Sequence, residues 1–227
     1  MKIRILSLLA TTIFLFSCKE TESNKLKTNK TFDESQTVQI IEMLDRFDKE
    51  ICNLEGRQIN DLSACYQSFF RRMQKGIENG KFNIGISDDH QKMIMEALGE
   101  DLRKEFWVDG VSTLKRTLKN ASPNHYFLDT IQTILISNGK FLKFLKSDVA
   151  GISVKAKEYH ERYVEMGTMT PSMEADIITN YNDYDITDER VRLLIAVHYL
   201  TKNYNNNQAD SSYNELYRNI AKELKSR

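Results

Sequence analysis

The sequence predicts an all-α fold, a compact array of about seven or eight helices. Three observations point there. Apolar residues recur at spacings of three and four along most of the chain. Cap-then-proline pairs, Ser122-Pro123 and Thr170-Pro171, mark helix starts. Only nine glycines and two prolines interrupt 227 residues.

The elements follow in order. Asp33 or Ser35 caps a first helix, with Val38, Ile41, Leu44, Phe47 and Ile51 along one face. Asn60 or Asp61 caps a second, burying Leu62, Cys65, Phe69, Met73 and Ile77 and ending at Gly80. Lys81 to Ile86 is extended. Ser87 starts a third helix, with Ile94, Leu98, Leu102 and Phe106 inward. A short fourth covers Gly110 to Leu118. From Ser122-Pro123 a fifth carries Tyr126, Phe127, Ile131, Ile134 and Leu135 to a stop at Asn138-Gly139. That pair is also the preferred turn of a β-hairpin. The helical spacing of Phe141, Leu142, Phe144 and Leu145 favours a short helix there instead. Further helices run from Ile152 to Met166, from Thr170-Pro171, and from a Thr187 cap through Leu193, Leu194, Val197 and Leu200. Asn205 to Asp210 reads as a loop and Ser211 to Lys225 as a last helix. No internal repeat is visible.

The N-terminus has a different character. Lys2 and Arg4 precede an apolar run from Ile5 to Phe16, the layout of a secretory signal. The run is shorter than the about 20 apolar residues that cross a bilayer. Leu15-Phe16-Ser17-Cys18 resembles the lipobox of bacterial lipoproteins, in the form found in the Bacteroidota. The resemblance covers fewer than about twenty residues and is silent on the rest of the chain. It implies cleavage before Cys18, a diacylglycerol on the Cys18 thiol, and further acylation of the new N-terminus. Two or three acyl chains make a lasting anchor. Lys19-Glu20 resembles the surface-export signal of the same lipoproteins, over two residues only; the alternative is a periplasm-facing protein. The expected organisation is therefore a signal at 1–17, a lipidated cysteine and polar tether at 18–31, and a helical domain at 32–227. The expected location is the cell envelope, at the outer membrane. The expected partners are the lipid bilayer, through Cys18, and a protein or envelope ligand.

Without its first 17 residues the chain has 30 basic and 32 acidic residues, a formal charge of −2. That balance gives no electrostatic case for nucleic acid as a partner. Cys52 and Cys65 lie in an oxidising compartment if the export reading holds. Their positions, at the end of one helix and in the first turns of the next, suit a disulfide.

Catalytic and metal motifs fail on inspection. His160-Glu161 begins the zinc-protease pattern, but Val164 stands where the second histidine belongs. Gly76 to Lys81 is one residue short of a phosphate loop, and Phe82 replaces its hydroxyl. Asn180 to Asp185 has calcium-loop residues, but Tyr184, Asp185 and Val191 occupy its fifth, sixth and twelfth positions. No metal site and no cofactor is expected. Nine of the ten tyrosines follow residue 125. Tyr159 with Tyr163, and Tyr213 with Tyr217, share helix faces and are the candidate binding residues. The same pairs also suit a core edge, with ring buried and hydroxyl wet.

Two functional readings result. The first is a non-catalytic binding module on the envelope, with an immunity or envelope-assembly role. The second is an enzyme acting on envelope polymers through dispersed acids. The second requires two carboxylates converging in a cleft with raised pKa.

Overall fold

The computed structural model describes residues 25–78, 83–117 and 125–206. The fold is mostly helical, with eight helices and one two-stranded hairpin among these residues. The helices are α1 (Glu34–Leu54), α2 (Leu62–Glu78), α3 (Asp88–Met95), α4 (Glu100–Phe106), α5 (Lys140–Phe144), α6 (Val154–Met166), α7 (Pro171–Thr179) and α8 (189–206). The strands β1 (Trp107–Thr117) and β2 (His125–Leu135) lie between α4 and α5.

Local signals set most boundaries. Asp33 accepts the Gln36 N–H while the Gln36 side chain returns to the Asp33 N–H, a capping box that starts α1. The Ser87 and Thr170 side chains cap α3 and α7 by accepting the His90 and Met173 N–H groups, and Gly167 ends α6 in the left-handed region. α8 is capped by Asp188 rather than Thr187: the Asp188 carboxylate accepts the Arg190 N–H, one of the orphan donors of the first turn. Thr187 instead donates from its hydroxyl and its N–H to Asp185.

α8 organises the core. Every residue from Val191 to Thr201 is buried, including Arg192 and His198. A helix apolar on all sides belongs at the centre of a protein. The other elements surround it and send polar side chains to it. Asp48 of α1 accepts from Arg192, and also from the Tyr66 hydroxyl of α2. Gln91 of α3 donates to the Leu200 carbonyl, and Trp107 of β1 donates from its indole to Thr201. Tyr159 of α6 meets His198, and Glu174 of α7 pairs with Lys202. The buried apolar residues form one cluster. Cys52 and Cys65 are bridged, with Cα atoms 4.8 Å apart, stapling the end of α1 to the start of α2. Closing a loop of this size stabilises by about 3 kcal/mol in the chain-entropy model.

Several expectations need correction. The helices expected over Gly110–Leu118 and from Ser122-Pro123 onward are β1 and the strand that follows it; the residues at 118–124, Ser122 and Pro123 among them, lie outside the described residues. The two strands pair antiparallel without a bulge from Trp107↔Leu135 to Thr117↔His125. Their β-branched residues outweigh the coincidental helical stripe of Phe127, Ile131, Ile134 and Leu135. Asn138-Gly139 leads into α5 and does not turn a hairpin. The third helix breaks at Gly99 into α3 and α4. On α1 and α2, Val38 and Ile77 are exposed, and Ile40, Tyr66 and Phe70 are buried instead. Asn205 and Asn206 continue α8; the expected last helix lies outside the described residues.

The end of the expected tether belongs to the fold. Lys25–Thr28 forms a 3-10 turn that buries Leu26. The Lys30 N–H and the Thr31 hydroxyl both donate to Asp148, on the π-helical turn after α5. Burial pushes the Asp148 carboxyl up, but hydrogen bonds from Thr31, Ser147 and the Lys30 N–H outweigh it and hold the group below the usual range. A buried leucine and a doubly bonded aspartate give this segment partners that its polar composition does not announce.

Candidate functional site

A cleft of about 740 Å³ lies at the foot of the hairpin, between α3, α4 and the end of α8. Trp107, Val108, Met95, Ile136 and Tyr204 supply its apolar lining. Its charged residues are Asp88, Lys92, Glu96, Arg103, Lys104 and Asp109, three of each sign. The volume is that of small-molecule and side-chain pockets.

The walls are held by α8. Gln91 donates to the Leu200 carbonyl and accepts from Asn203, which also holds the Ile86 carbonyl. Trp107 is fixed by its indole bond of 2.8 Å to Thr201. Thr133 donates its hydroxyl to Asp109 across the hairpin, and Asn205 braces the Thr133 backbone. Three walls therefore refer to one buried helix, which gives the cleft a fixed shape before anything enters. On the rim, Lys104 is tied to Glu100 at 2.6 Å. The Arg103 guanidinium has no ion-pair partner within 4.0 Å among the described residues. A second recess of about 370 Å³ lies beside β2, against Tyr163, Met169, Lys202 and Asn205.

Of the four candidate tyrosines, two lie among the described residues. Tyr159 and Tyr163 are almost fully buried, with their rings in the core, and Tyr163 also borders the second recess. The Tyr159 hydroxyl lies 3.1 Å from His198 Nδ1, and the Tyr163 hydroxyl donates to the Leu135 carbonyl at the edge of β2. Cys18, Tyr213 and Tyr217 lie outside the described residues. The cleft residues escaped sequence reasoning because α3, the hairpin and α8 are distant in the chain. The one local signal was Trp107, the only tryptophan.

Burial raises two carboxyls, Asp48 and Glu174, with Arg192 and Lys202 respectively offsetting part of the effect. Neither lines the cleft. His198 is fully buried, and burial, then Lys202, push its pKa down to about 3, so it is neutral. Its Nε2, Glu174 Oε1 and the Tyr199 hydroxyl have no hydrogen-bond partner among the described residues. His90 is exposed, and its 2.7 Å bond to Glu50 raises its pKa. Within Asn180–Asp185, Tyr181–Asp183 is a 3-10 turn and Asp185 is engaged by Thr187. No group of three or more His, Cys, Asp or Glu that could hold a metal occurs among the described residues. No described helix is long and apolar enough to cross a membrane.

Comparison with protein-family models, curated proteins and solved structures found no match to this chain.

Proposed function

We propose that this chain is a lipid-anchored protein of the cell envelope whose helical domain binds a protein or envelope ligand in the cleft at the foot of the hairpin. The observation that carries the binding role is the cleft itself: an apolar lining inside a charge-balanced rim, on walls fixed by α8. A surface of this kind accepts a ligand without paying to order its own side chains. The anchor rests on the lipobox-like Leu15-Phe16-Ser17-Cys18. Because Lys25–Thr31 packs on the domain, only seven residue steps separate Cys18 from the fold. Their reach is at most about 25 Å, so the domain stays close to the lipid surface.

The test has two readouts. Labelled palmitate should enter the wild-type chain and not Cys18→Ser, and the variant should leave the membrane fraction. Affinity capture from envelope extracts should then retain one defined partner on the wild type and lose it on Arg103→Glu with Val108→Asp. Unlabelled wild-type chain defeats the anchor. A capture profile indifferent to the cleft substitutions defeats the binding site.

A further inference from the structure

We propose that the outer edge of β1 pairs with the same edge of a second copy of this chain, antiparallel and two-fold, centred on Val111. The hydrogen-bond parity of the hairpin is fixed by one contact. The Thr133 N–H donates to Asn205 Oδ1 and the Thr133 carbonyl accepts from Asn205 Nδ2, so the Thr133 backbone faces away from β1. Its register partner is Asp109, whose backbone groups must then face away from β2. By alternation the same holds for Val111, opposite Ile131, and for Thr113, opposite Asp129.

The two edges differ. The edge of β2 is closed at its root by Asn205 on Thr133 and by the Tyr163 hydroxyl on the Leu135 carbonyl. Among the described residues, no hydrogen bond engages the backbone N–H or C=O of Asp109 or Val111 from outside the hairpin. β1 lacks three of the usual protections of an edge, being 11 residues long, paired without a bulge and free of proline; the charged residues in its sequence are Asp109, Lys115 and Arg116. Val111, at the centre of the open row, is 76 % exposed.

A second copy is the occupant this row fits. Two-fold antiparallel pairing about Val111 sets Val111 against itself and Asp109 against Thr113, so every outward N–H meets a C=O and no acid faces an acid. Strand and partner are then open over the same length by identity. The contact is small beside a standard interface of about 1,600 Å², so pairing is concentration-dependent. Confinement of the copies to one membrane would favour it, and only that last point rests on the lipid anchor.

The test is sedimentation of the full chain, extracted in detergent, across a wide concentration range. The wild type is expected to show a reversible monomer–dimer equilibrium. Val111→Pro removes an N–H that β2 does not use, so the hairpin survives and the dimer is lost. Val111→Lys keeps the backbone but sets like charges on the axis, and should also be monomeric. Val111→Cys should cross-link to its own copy, whereas Val154→Cys, similarly exposed on α6, should not. A wild type monomeric throughout overturns the proposal. So does a dimer that survives both Val111→Pro and Val111→Lys.

Discussion

The carboxamide of Asn205 pairs with both backbone groups of Thr133, 72 residues earlier in the chain. Its Oδ1 accepts the Thr133 N–H at 2.8 Å and its Nδ2 donates to the Thr133 carbonyl at 3.0 Å. A side-chain amide has the donor–acceptor spacing of a peptide group, so Asn205 acts as one residue of a third strand. It ties the hairpin to α8 and closes the β2 edge beside the cleft. Asn205→Leu leaves the two groups of the buried Thr133 without partners, which costs about 1–3 kcal/mol. Denaturant unfolding should show that loss, and amide exchange at Thr133 should quicken more than at Ile40 in the core. Equal exchange in the variant and the wild type would show that Asn205 braces nothing.

How much of this was legible depended on distance along the chain. The Asp33 box, the Ser87 cap, Thr170-Pro171 and the Gly167 stop are decided within a few residues, and the sequence carries them plainly. So does the Cys52–Cys65 bridge, because two consecutive helices bring those positions together. The hairpin was not legible, because its stripe at 127, 131, 134 and 135 also fits a helix. The strand signal present was compositional: Thr130, Ile131, Thr133 and Ile134 are all β-branched. The tyrosine pair at 159 and 163 left a binding face and a core edge both open for a related reason. Spacing placed both on one face but could not say that the face meets α8 and the hairpin. The cleft needs α3, β1 and α8 at once, and no local pattern encodes that meeting.

Gly139 begins α5 at an ordinary helix-cap conformation, so its importance is one of space. A Cβ there would fall 2.4 Å from the Glu105 carbonyl oxygen and 2.9 Å from Ile136 Cβ. The first of these is backbone, at the end of α4, and cannot rotate aside. Gly139→Ala must push α4 and α5 apart, and with them the Phe106–Phe141 ring contact. A loss of about 1–3 kcal/mol is expected, as for other overpacked sites. Gly151, where a Cβ would meet nothing within 4 Å, is the control: Gly151→Ala should leave the melting temperature nearly unchanged. Similar melting of the two variants would refute the close approach.

Asp48 and Arg192 are an ion pair taken out of water, 144 residues apart. Arg192 also donates to the Ile186 and Thr187 carbonyls just before α8, and Asp48 accepts the Tyr66 hydroxyl at 2.6 Å. Arg192→Met strands a buried carboxylate, which costs about 3–5 kcal/mol. Asp48→Leu strands the guanidinium at a similar cost. Because most of each loss is the unpaired charge, the double variant should recover a large part of it. A double-mutant cycle by urea unfolding measures this directly, and strict additivity would mean that the pair is not coupled.

His198 makes the fold sensitive to acid. In the unfolded chain an imidazole takes up a proton near pH 6.5, whereas in the fold burial delays this to about 3. Between those values the unfolded chain binds more protons than the folded one. The stability that His198 contributes is therefore complete above pH 6.5 and is lost as the pH falls toward about 3. The slope is about 1.4 kcal/mol per pH unit within that window. Other groups titrate there too, and Glu174, raised by burial, works in the opposite sense: its contribution is greatest in acid and falls as pH rises through its folded value. The comparison that isolates the histidine is His198→Gln, which keeps a polar group facing Tyr159 and cannot be protonated. Urea unfolding of both proteins at pH 7 and at pH 4 should show a smaller acid loss in the variant, about 3 kcal/mol smaller if the full slope applies. Parallel losses would place the acid sensitivity outside the centre of α8.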